Sequence, residues 1–83
     1  MRFKIRIEII LKAGHSDPEG ETTARALREL NYPVKVVNVS KIYAVNLEAN
    51  STTEAEKMVD EMCRRLLANP TKDDYKFEIR EAE

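Results

Sequence analysis

The sequence predicts a single α+β domain in which strands and helices follow one another in the order β-α-β-β-α-β. Three observations support this prediction. The chain has only 83 residues, which suffice for one domain. Strict apolar–polar alternation, typical of strands with one buried face, occurs near both ends of the chain. Two segments with apolar residues at three- and four-residue intervals, typical of helices with one buried stripe, lie between them.

The first strand is predicted over residues 2–12, where apolar and charged residues alternate. Five apolar side chains share one face of this strand: Phe3, Ile5, Ile7, Ile9 and Leu11. Five charged side chains share the other face: Arg2, Lys4, Arg6, Glu8 and Lys12. A period of two places the apolar set against the core. Ile10 interrupts the charged face, which indicates that this end of the strand is covered, for example by a partner.

The first helix is predicted over residues 18–31. Asp17 is a preferred N-cap residue, Pro18 suits the first helical position, and Glu19 suits the positive end of the helix dipole. The apolar stripe of the helix contains Thr23, Ala24, Leu27 and Leu30. Pro33 cannot continue a helix, so the helix ends before it. Gly20 in the first turn indicates either close packing against a neighbour or an anion held at the helix N-terminus.

A hairpin of two short strands is predicted after this helix. Residues 34–39 are rich in β-branched valine, and residues 42–47 alternate between apolar and polar side chains. Ser40 and Lys41 lie between these two runs and form the predicted turn.

A second helix and a last strand complete the chain. Ser51 and Glu54 have the spacing of a capping box, which begins the helix. The wide apolar stripe of the helix contains Ala55, Met58, Val59, Met62, Cys63, Leu66 and Leu67. Asn69 and Pro70 end the helix. The last strand is predicted from Tyr75 onward, where apolar and charged residues alternate again.

This order of elements predicts a ferredoxin-like two-layer sandwich. Its four-stranded antiparallel sheet would carry both helices on one face. Residues 1–83 would form one domain, since no linker or repeat interrupts them. A core of this size leaves little material for a deep pocket, and small chains often gain burial by forming oligomers.

Composition excludes several classes of protein. With 14 basic and 15 acidic residues the net charge is −1, so the excess of cations that drives nucleic-acid binding is missing. A single cysteine cannot form an internal disulfide. Apolar residues form no run of the ~20 residues that span a bilayer, and the first residues alternate instead of forming a signal peptide. The sequence therefore predicts a cytoplasmic protein without nucleic-acid or membrane partners.

Residue types that carry catalysis are sparse. His15 is the only histidine, and although Ser16 and Asp17 follow it, neighbours in sequence rarely reach the geometry of a catalytic triad. Cys63 lies on the apolar stripe of the second helix, where a thiol is buried and inert. Two glycines cannot build a glycine-rich phosphate loop, and no pair of histidines or cysteines suggests a metal site. The sequence therefore predicts neither catalytic residues nor a cofactor or metal bound by this chain.

The loop between the second helix and the last strand is a candidate contact surface. It contains Asn69, Asp73, Asp74 and Tyr75. Tyrosine is enriched at protein interfaces, and polar groups there fix the register of the partners. A helix end followed by a polar loop and a strand start explains the same residues structurally.

Several segments together resemble one family at matching order and spacing. These segments are Phe3 to Leu11, Asp17-Pro18-Glu19-Gly20, Ala26-Leu27, Leu30, Val37, Val39, Lys41, Cys63, Leu66-Leu67-Ala68-Asn69-Pro70, Asp74-Tyr75 and Phe77-Glu78-Ile79. The set resembles the PurS family, the small subunit of phosphoribosylformylglycinamidine synthase. The chain departs from the family pattern at Asn38, where Arg is frequent, and at Ser40, where Gly is common. These departures leave the family's contacts near the predicted turn open.

The resemblance implies a non-catalytic subunit of a purine-biosynthesis ligase. The assembled enzyme would convert formylglycinamide ribonucleotide, glutamine and ATP to formylglycinamidine ribonucleotide, with ATP, Mg²⁺ and glutamine used by the other subunits. This chain would bridge a large synthetase subunit and a glutamine amidotransferase subunit and assist the transfer of ammonia. The resemblance also implies a homo-oligomer, a dimer or a tetramer.

Exposed strand edges invite pairing with another chain, so a sheet edge or the uncovered sheet face is the expected homodimer contact. The candidate interface residues are Ile10, Ser40, Lys41, Asn69, Asp74 and Tyr75.

Three other functions remain open at this point. A ferredoxin-like regulatory module would bind an amino acid or a nucleotide between protomers without any other protein. A nucleic-acid module conflicts with the near-neutral charge and the lack of an aromatic-rich strand. A stand-alone enzyme would depend on His15 or Cys63.

Overall fold

The computed structural model describes residues 1–82, which form an α+β fold with two α-helices and three strands. The elements in chain order are β1 (Arg2–Leu11), α1 (Pro18–Glu29), β2 (Lys41–Glu48), α2 (Thr52–Met62) with a π-helical turn (Cys63–Leu67) attached to its end, and β3 (Asp73–Ala82). The predicted first and last strands, the third strand and both helices are thus confirmed.

The three strands form one antiparallel sheet in the order β2-β1-β3. In its centre Ile5 lies between Val45 of β2 and Ile79 of β3. The alternation predicted for β1 is confirmed, because its odd-numbered residues from Phe3 to Ile9 are buried while Arg2, Lys4 and Arg6 are exposed. The sheet therefore has an inner face, which α2 covers, and an open face, which carries charged side chains.

The core lies between β1 and α2. Phe3, Ile7, Val59 and Cys63 are its largest fully buried side chains. Ala55 is also fully buried, and this small residue lets α2 approach the sheet closely. Burial of a large apolar side chain contributes roughly 1.5–3 kcal/mol, so these few contacts hold α2 in place. Ser51 caps α2 as predicted, since its hydroxyl accepts a hydrogen bond from Glu54 N at 3.1 Å.

Helix α1 begins as predicted and ends two residues earlier than expected. Asp17 Oδ1 accepts a hydrogen bond from Gly20 N at 2.9 Å, and Pro18 is the first helical residue. Asn31 has φ 71°, a left-handed conformation that asparagine tolerates and that commonly ends helices. Of the two explanations for Gly20, close packing is supported, because a Cβ there would collide with the Val37 carbonyl oxygen.

The predicted strand over residues 34–39 is absent from the described chain, and with it the predicted hairpin. The segment instead returns along α1, and its backbone groups bond to that helix. Asp17 Oδ2 accepts from Val39 N at 2.8 Å, and Arg28 Nη1 donates to Val34 O at 3.3 Å. The prediction of a strand was wrong for the described chain, because no strand edge within residues 1–82 lies beside these valines.

The prediction that both helices cover one sheet face is also not met within this chain. Only α2 packs on the sheet, and α1 forms no substantial contact with any strand or with α2. We call residues 18–39, which comprise α1 and its return segment, the arm. The molecule measures 51 × 29 × 13 Å with a radius of gyration of 16.4 Å, against about 12 Å for a compact domain of this length. The arm therefore extends beyond the sheet.

The π-helical turn corrects the predicted stripe of α2. Leu66 was expected in the core, yet it is 83% exposed. The turn closes with Ala68 N donating to Cys63 O at 2.9 Å, a longer repeat than that of an α-helix. The wider turn rotates the residues after Cys63, so that Leu66 points away while Leu67 packs against the core.

Candidate functional site

The structure brings the six candidate interface residues to one end of the molecule. Ile10 lies opposite Asp74, and Ile9 lies between Lys41 and Tyr75. Ser40 directly precedes β2, and the Asn69 loop leads into β3. We call this region, where β1 ends and β2 and β3 begin, the sheet end. Sequence spacing alone could not show this grouping, because it depends on the antiparallel register of three strands.

Internal hydrogen bonds hold the Asn69 loop in shape. Asn69 N donates to Asp73 Oδ2 at 2.9 Å, and Thr71 N donates to Asn69 Oδ1 at 2.9 Å. Lys12 Nζ donates to Pro70 O at 3.1 Å, and Lys12 N donates to Lys72 O at 2.7 Å. The loop is thus tied to the end of β1 and presents a defined surface.

Ser40 belongs to a polar cluster on the open face. Its hydroxyl donates to Glu8 Oε2 at 2.8 Å, and Lys76 Nζ lies 3.2 Å from Glu8 Oε1. The hydrogen bond from Ser40 and the neighbouring Lys76 lower the pKa of Glu8. A glycine at position 40 could not make this contact, so the serine adds a bond between the start of β2 and the centre of β1.

Tyr75 connects β3 to the end of α2. Its hydroxyl donates to Asp60 Oδ1 at 2.6 Å, and Arg64 Nε donates to Asp60 Oδ2 at 2.8 Å. The bond from Tyr75, followed by that from Arg64, lowers the pKa of Asp60, and the same bond to Asp60 raises the pKa of Tyr75. The phenol therefore keeps its proton and acts here as a positioning contact for the helix.

A cavity of about 510 Å³ opens at the sheet end, beside the base of the arm. His15 and Ser16 line it together with Lys41, Leu67 and Asp73. Among residues 1–82 no nucleophile lies in hydrogen-bonding contact with His15. Cys63 lies in the core, where burial raises the pKa of its thiol, so it is a poor nucleophile.

Over residues 1–82, no three histidine, cysteine or acidic side chains are grouped as metal ligands. Within the same residues, neither helix has the length and apolarity needed to cross a bilayer.

An apolar surface on the inner face beside α2 is only half buried, and sequence analysis did not identify it. Its floor is the half-buried inner side of β2, formed by Tyr43, Val45 and Leu47. The flank of α2 that carries Asp60 faces β3, since Asp60 accepts a hydrogen bond from Tyr75. Successive residues of a helix are about 100° apart around its axis, so Met58 and Met62 lie on the opposite flank. Met58 and Met62, which are packed against the core, therefore flank this surface. We call it the β2 groove.

The arm has apolar side chains of its own that no core covers. Leu30 is 66% exposed, Tyr32 58% and Val36 72%. Leu27 is half-buried, and only Ala24 and Gly20 are buried in α1. Both the groove and the arm thus expose apolar surface that was predicted to lie inside one domain. The apolar stripe predicted on α1 could have indicated this exposed surface, because such a stripe needs a sheet to cover it.

The comparisons with known proteins agree over nearly the whole chain. A family model described as PurS, phosphoribosylformylglycinamidine (FGAM) synthase, matches residues 4–81. The phosphoribosylformylglycinamidine synthase subunit PurS of Archaeoglobus fulgidus is 46% identical over 76 residues, which cover 90% of this chain and 95% of the relative.

Solved structures give the same result. The chain is similar to Thermus thermophilus PurS with a TM-score of 0.90 and 33% identity, covering 100% of both chains. It is also similar to a chain of PurLQS from Thermotoga maritima, with a TM-score of 0.88, 32% identity and coverage of 96% and 99%. Both the length and the shape of the chain therefore match these proteins.

Proposed function

The chain belongs to the PurS family of phosphoribosylformylglycinamidine synthase subunits, and we propose that it joins the glutaminase and synthetase subunits of that enzyme without catalysing a step itself. The observation that carries the proposal is the match over residues 4–81 to relatives of the same length, all PurS subunits. A chain of this family is a subunit of the synthase in purine biosynthesis, so its work depends on surfaces that bind other chains.

The assembled enzyme would convert formylglycinamide ribonucleotide, glutamine and ATP to formylglycinamidine ribonucleotide. ATP, Mg²⁺ and glutamine would be bound by the partner subunits, and this chain would keep those subunits in register while ammonia passes between them. The ordered polar loop and cavity at the sheet end support a docking role. It stays a prediction that the protein lies in the cytoplasm and that residues 1–83 form a single domain.

We further propose that the chain forms a homodimer by exchanging arms. The β2 groove of one copy would receive α1 of the other, so that Leu27 and Leu30 cover Tyr43, Val45 and Leu47. What supports this is that both surfaces are apolar and exposed in a single chain. Exchange of identical elements between protomers is a low-cost route to a dimer.

The exchanged arm would also supply the missing fourth strand. The outer edge of β2 has no strand beside it in the described sheet, and its backbone N–H and C=O groups can pair with an incoming strand. Residues 34–39 have the β-branched composition of such a strand. The predicted four-stranded sheet with two helices on one face would then form between two copies.

Reconstitution of the enzyme tests the proposed function. The separately purified synthetase and amidotransferase subunits are mixed with ATP, Mg²⁺, glutamine and formylglycinamide ribonucleotide, and product is measured with and without this chain. We expect glutamine-dependent turnover to require the chain, and turnover with ammonium salts to depend on it less. Glutamine-dependent turnover that is indifferent to the chain would refute the assignment.

A further inference from the structure

The open face of the sheet has an uneven distribution of charge. Near the start of β1, Lys4 lies directly opposite Arg80 of β3, and Arg6 follows two residues later. We call Lys4, Arg6 and Arg80 the cationic patch. Towards the sheet end the same face carries Glu8 and Asp74 together with Lys76. The first half of the face therefore has an excess of cations over Glu48 and Glu78, and the second half does not.

The cationic patch keeps an excess of positive charge within the described chain, although Glu78 lies directly opposite Arg6. The ion pairs of this face are Arg2 with Glu48 at 3.9 Å and Lys76 with Glu8 at 3.2 Å. Over residues 1–82 no carboxylate lies within 4.0 Å of the three patch cations. Like charges directly opposite each other across two strands destabilise a sheet. The pair of Lys4 and Arg80 therefore costs folding stability.

The patch surrounds a hollow that could receive a protruding side chain. Ala44 of β2 lies opposite Arg6, and its short side chain leaves a depression of about 330 Å³ among the longer ones. Lys4, Arg6 and Arg80 line this depression together with Glu78 and Ala44. Cations around a hollow fit a carboxylate side chain better than a flat apolar surface.

We propose that the cationic patch docks an acidic surface of another subunit of the same synthase. The proposal rests on the proposed function, since it supposes that the chain binds those subunits. The patch lies on the face opposite to α2 and the β2 groove, so an exchanged arm would leave it free. A homodimer would therefore present two such patches, one on each copy.

A protein partner fits these observations better than a nucleic acid. Glu48 and Glu78 lie among the cations, and they would repel a phosphate backbone. The aromatic residues of the sheet, Phe3, Tyr43, Tyr75 and Phe77, all lie on the inner face. The open face therefore offers nothing on which bases could stack.

Charge reversal tests the proposal with a matched control. Lys4→Glu and Arg80→Glu each reverse one charge of the patch, and Lys57→Glu makes the same change on the exposed side of α2. Binding of each variant to the purified synthetase subunit and to the purified amidotransferase subunit is measured by calorimetry at 50 and 300 mM salt. Thermal unfolding and sedimentation of the isolated variants show whether fold and oligomer persist.

We expect each patch variant to weaken binding to one of the two subunits by about tenfold at low salt and by less at high salt, because salt screens exposed charges. Lys57→Glu should bind as the wild type does. Lys4→Glu removes the repulsion from Arg80, so its unfolding temperature should not fall, and lost binding cannot then be ascribed to unfolding.

Wild-type affinity for both subunits in the two patch variants would overturn the proposal while leaving the proposed function intact. Equal weakening by Lys57→Glu would overturn it as well, because the effect would then reflect net charge. Binding of a short RNA or DNA duplex that disappears only in the patch variants, with subunit binding unchanged, would assign the patch to nucleic acid instead. A wild-type chain that binds neither subunit and leaves turnover unchanged would refute the proposed function itself.

Discussion

Gly20 shows how one residue keeps the arm together. It lies in the first turn of α1, where the return segment passes so closely that the Val37 carbonyl oxygen and the Asp17 carboxylate occupy the space of a Cβ. Glycine costs about 1 kcal/mol in a helix, so its presence here is explained by close approach and not by helix preference.

Replacement of Gly20 by alanine should therefore destabilise the chain. Alanine gains about 1 kcal/mol of helix preference, but overpacking against fixed backbone typically costs about 1–3 kcal/mol, so we expect a small net loss. Urea denaturation followed by circular dichroism measures it, with Glu21→Ala at an exposed neighbouring position as the control. A Gly20→Ala variant more stable than Glu21→Ala would contradict the close approach of Val37.

Asp17 makes the attachment of the arm sensitive to acid. The hydrogen bond from Val39 N, followed by that from Gly20 N, lowers the pKa of Asp17. A carboxyl whose pKa is depressed by folding contributes stability that is present above its unfolded pKa of about 3.9 and is lost as pH falls through the folded pKa. Protonation would release both backbone groups at the base of the arm.

We expect the unfolding temperature to be nearly constant from pH 7 to 5 and to decrease below about pH 4. Glu8 and Asp60 have lowered pKa values as well. The contribution of Asp17 is therefore the difference in acid dependence of the unfolding temperature between the wild type and an Asp17 variant. Asp17→Asn should flatten part of the acid decrease, whereas Glu21→Gln should not. Identical pH profiles for the wild type and Asp17→Asn would show that the Asp17 contacts do not contribute.

At the scale of elements, the π-helical turn determines the exposure of Leu66. The turn directs Leu66 away from the core, so that it is 83% exposed in the single chain. An exposed leucine contributes little to the fold of its own chain, but burial of a leucine at an interface contributes roughly 1.5–3 kcal/mol.

Leu66→Asn should leave the fold intact and weaken the homodimer by about tenfold or more, since 1.4 kcal/mol corresponds to a factor of ten. Sedimentation equilibrium over a range of concentrations measures this change. Arg65→Asn alters the exposed neighbour of Leu66 and is the matched control. If both variants dimerise as the wild type does, Leu66 does not line the dimer contact.

The elements themselves were predictable where the determining signals are local. The alternation in β1, the Asp17 and Ser51 caps and the strand that contains Phe77 follow from residues within a few positions. The position of α1 was not predictable, because the apolar stripe of a helix does not indicate whether the sheet that covers it belongs to the same chain or to another chain. The exposure of Leu66 was missed because a π-helical turn departs from the period of 3.6 on which the stripe was counted.

The candidate site was predictable only in part, for the same reason. Asn69 and Tyr75 were identified by residue type, and the register of the sheet then placed them beside Ile10 and Lys41. The β2 groove could not be read from the sequence, because its residues were all assigned to the core of one domain. The cationic patch needed the cross-strand pairing of Lys4 with Arg80, which no local pattern gives.

At the scale of the whole molecule, the two faces of the sheet differ. The inner face is the proposed contact for an arm of another copy, and the open face carries the patch that we propose binds a different subunit. A radius of gyration of 16.4 Å for 83 residues shows how much of its surface is left for such contacts. A subunit that joins other chains has a use for each of these surfaces.

Amide hydrogen exchange of residues 35–38 tests the completion of the fold by a second copy most directly. In the described chain the backbone N–H groups of these residues donate to no backbone or side-chain acceptor, so they should exchange rapidly in an isolated chain. Pairing with the β2 edge of a second copy would protect alternate amides in this run by orders of magnitude, and dilution below the dimer dissociation constant would remove that protection. Rapid exchange of all four amides in a chain that sediments as a dimer would contradict the exchanged arm.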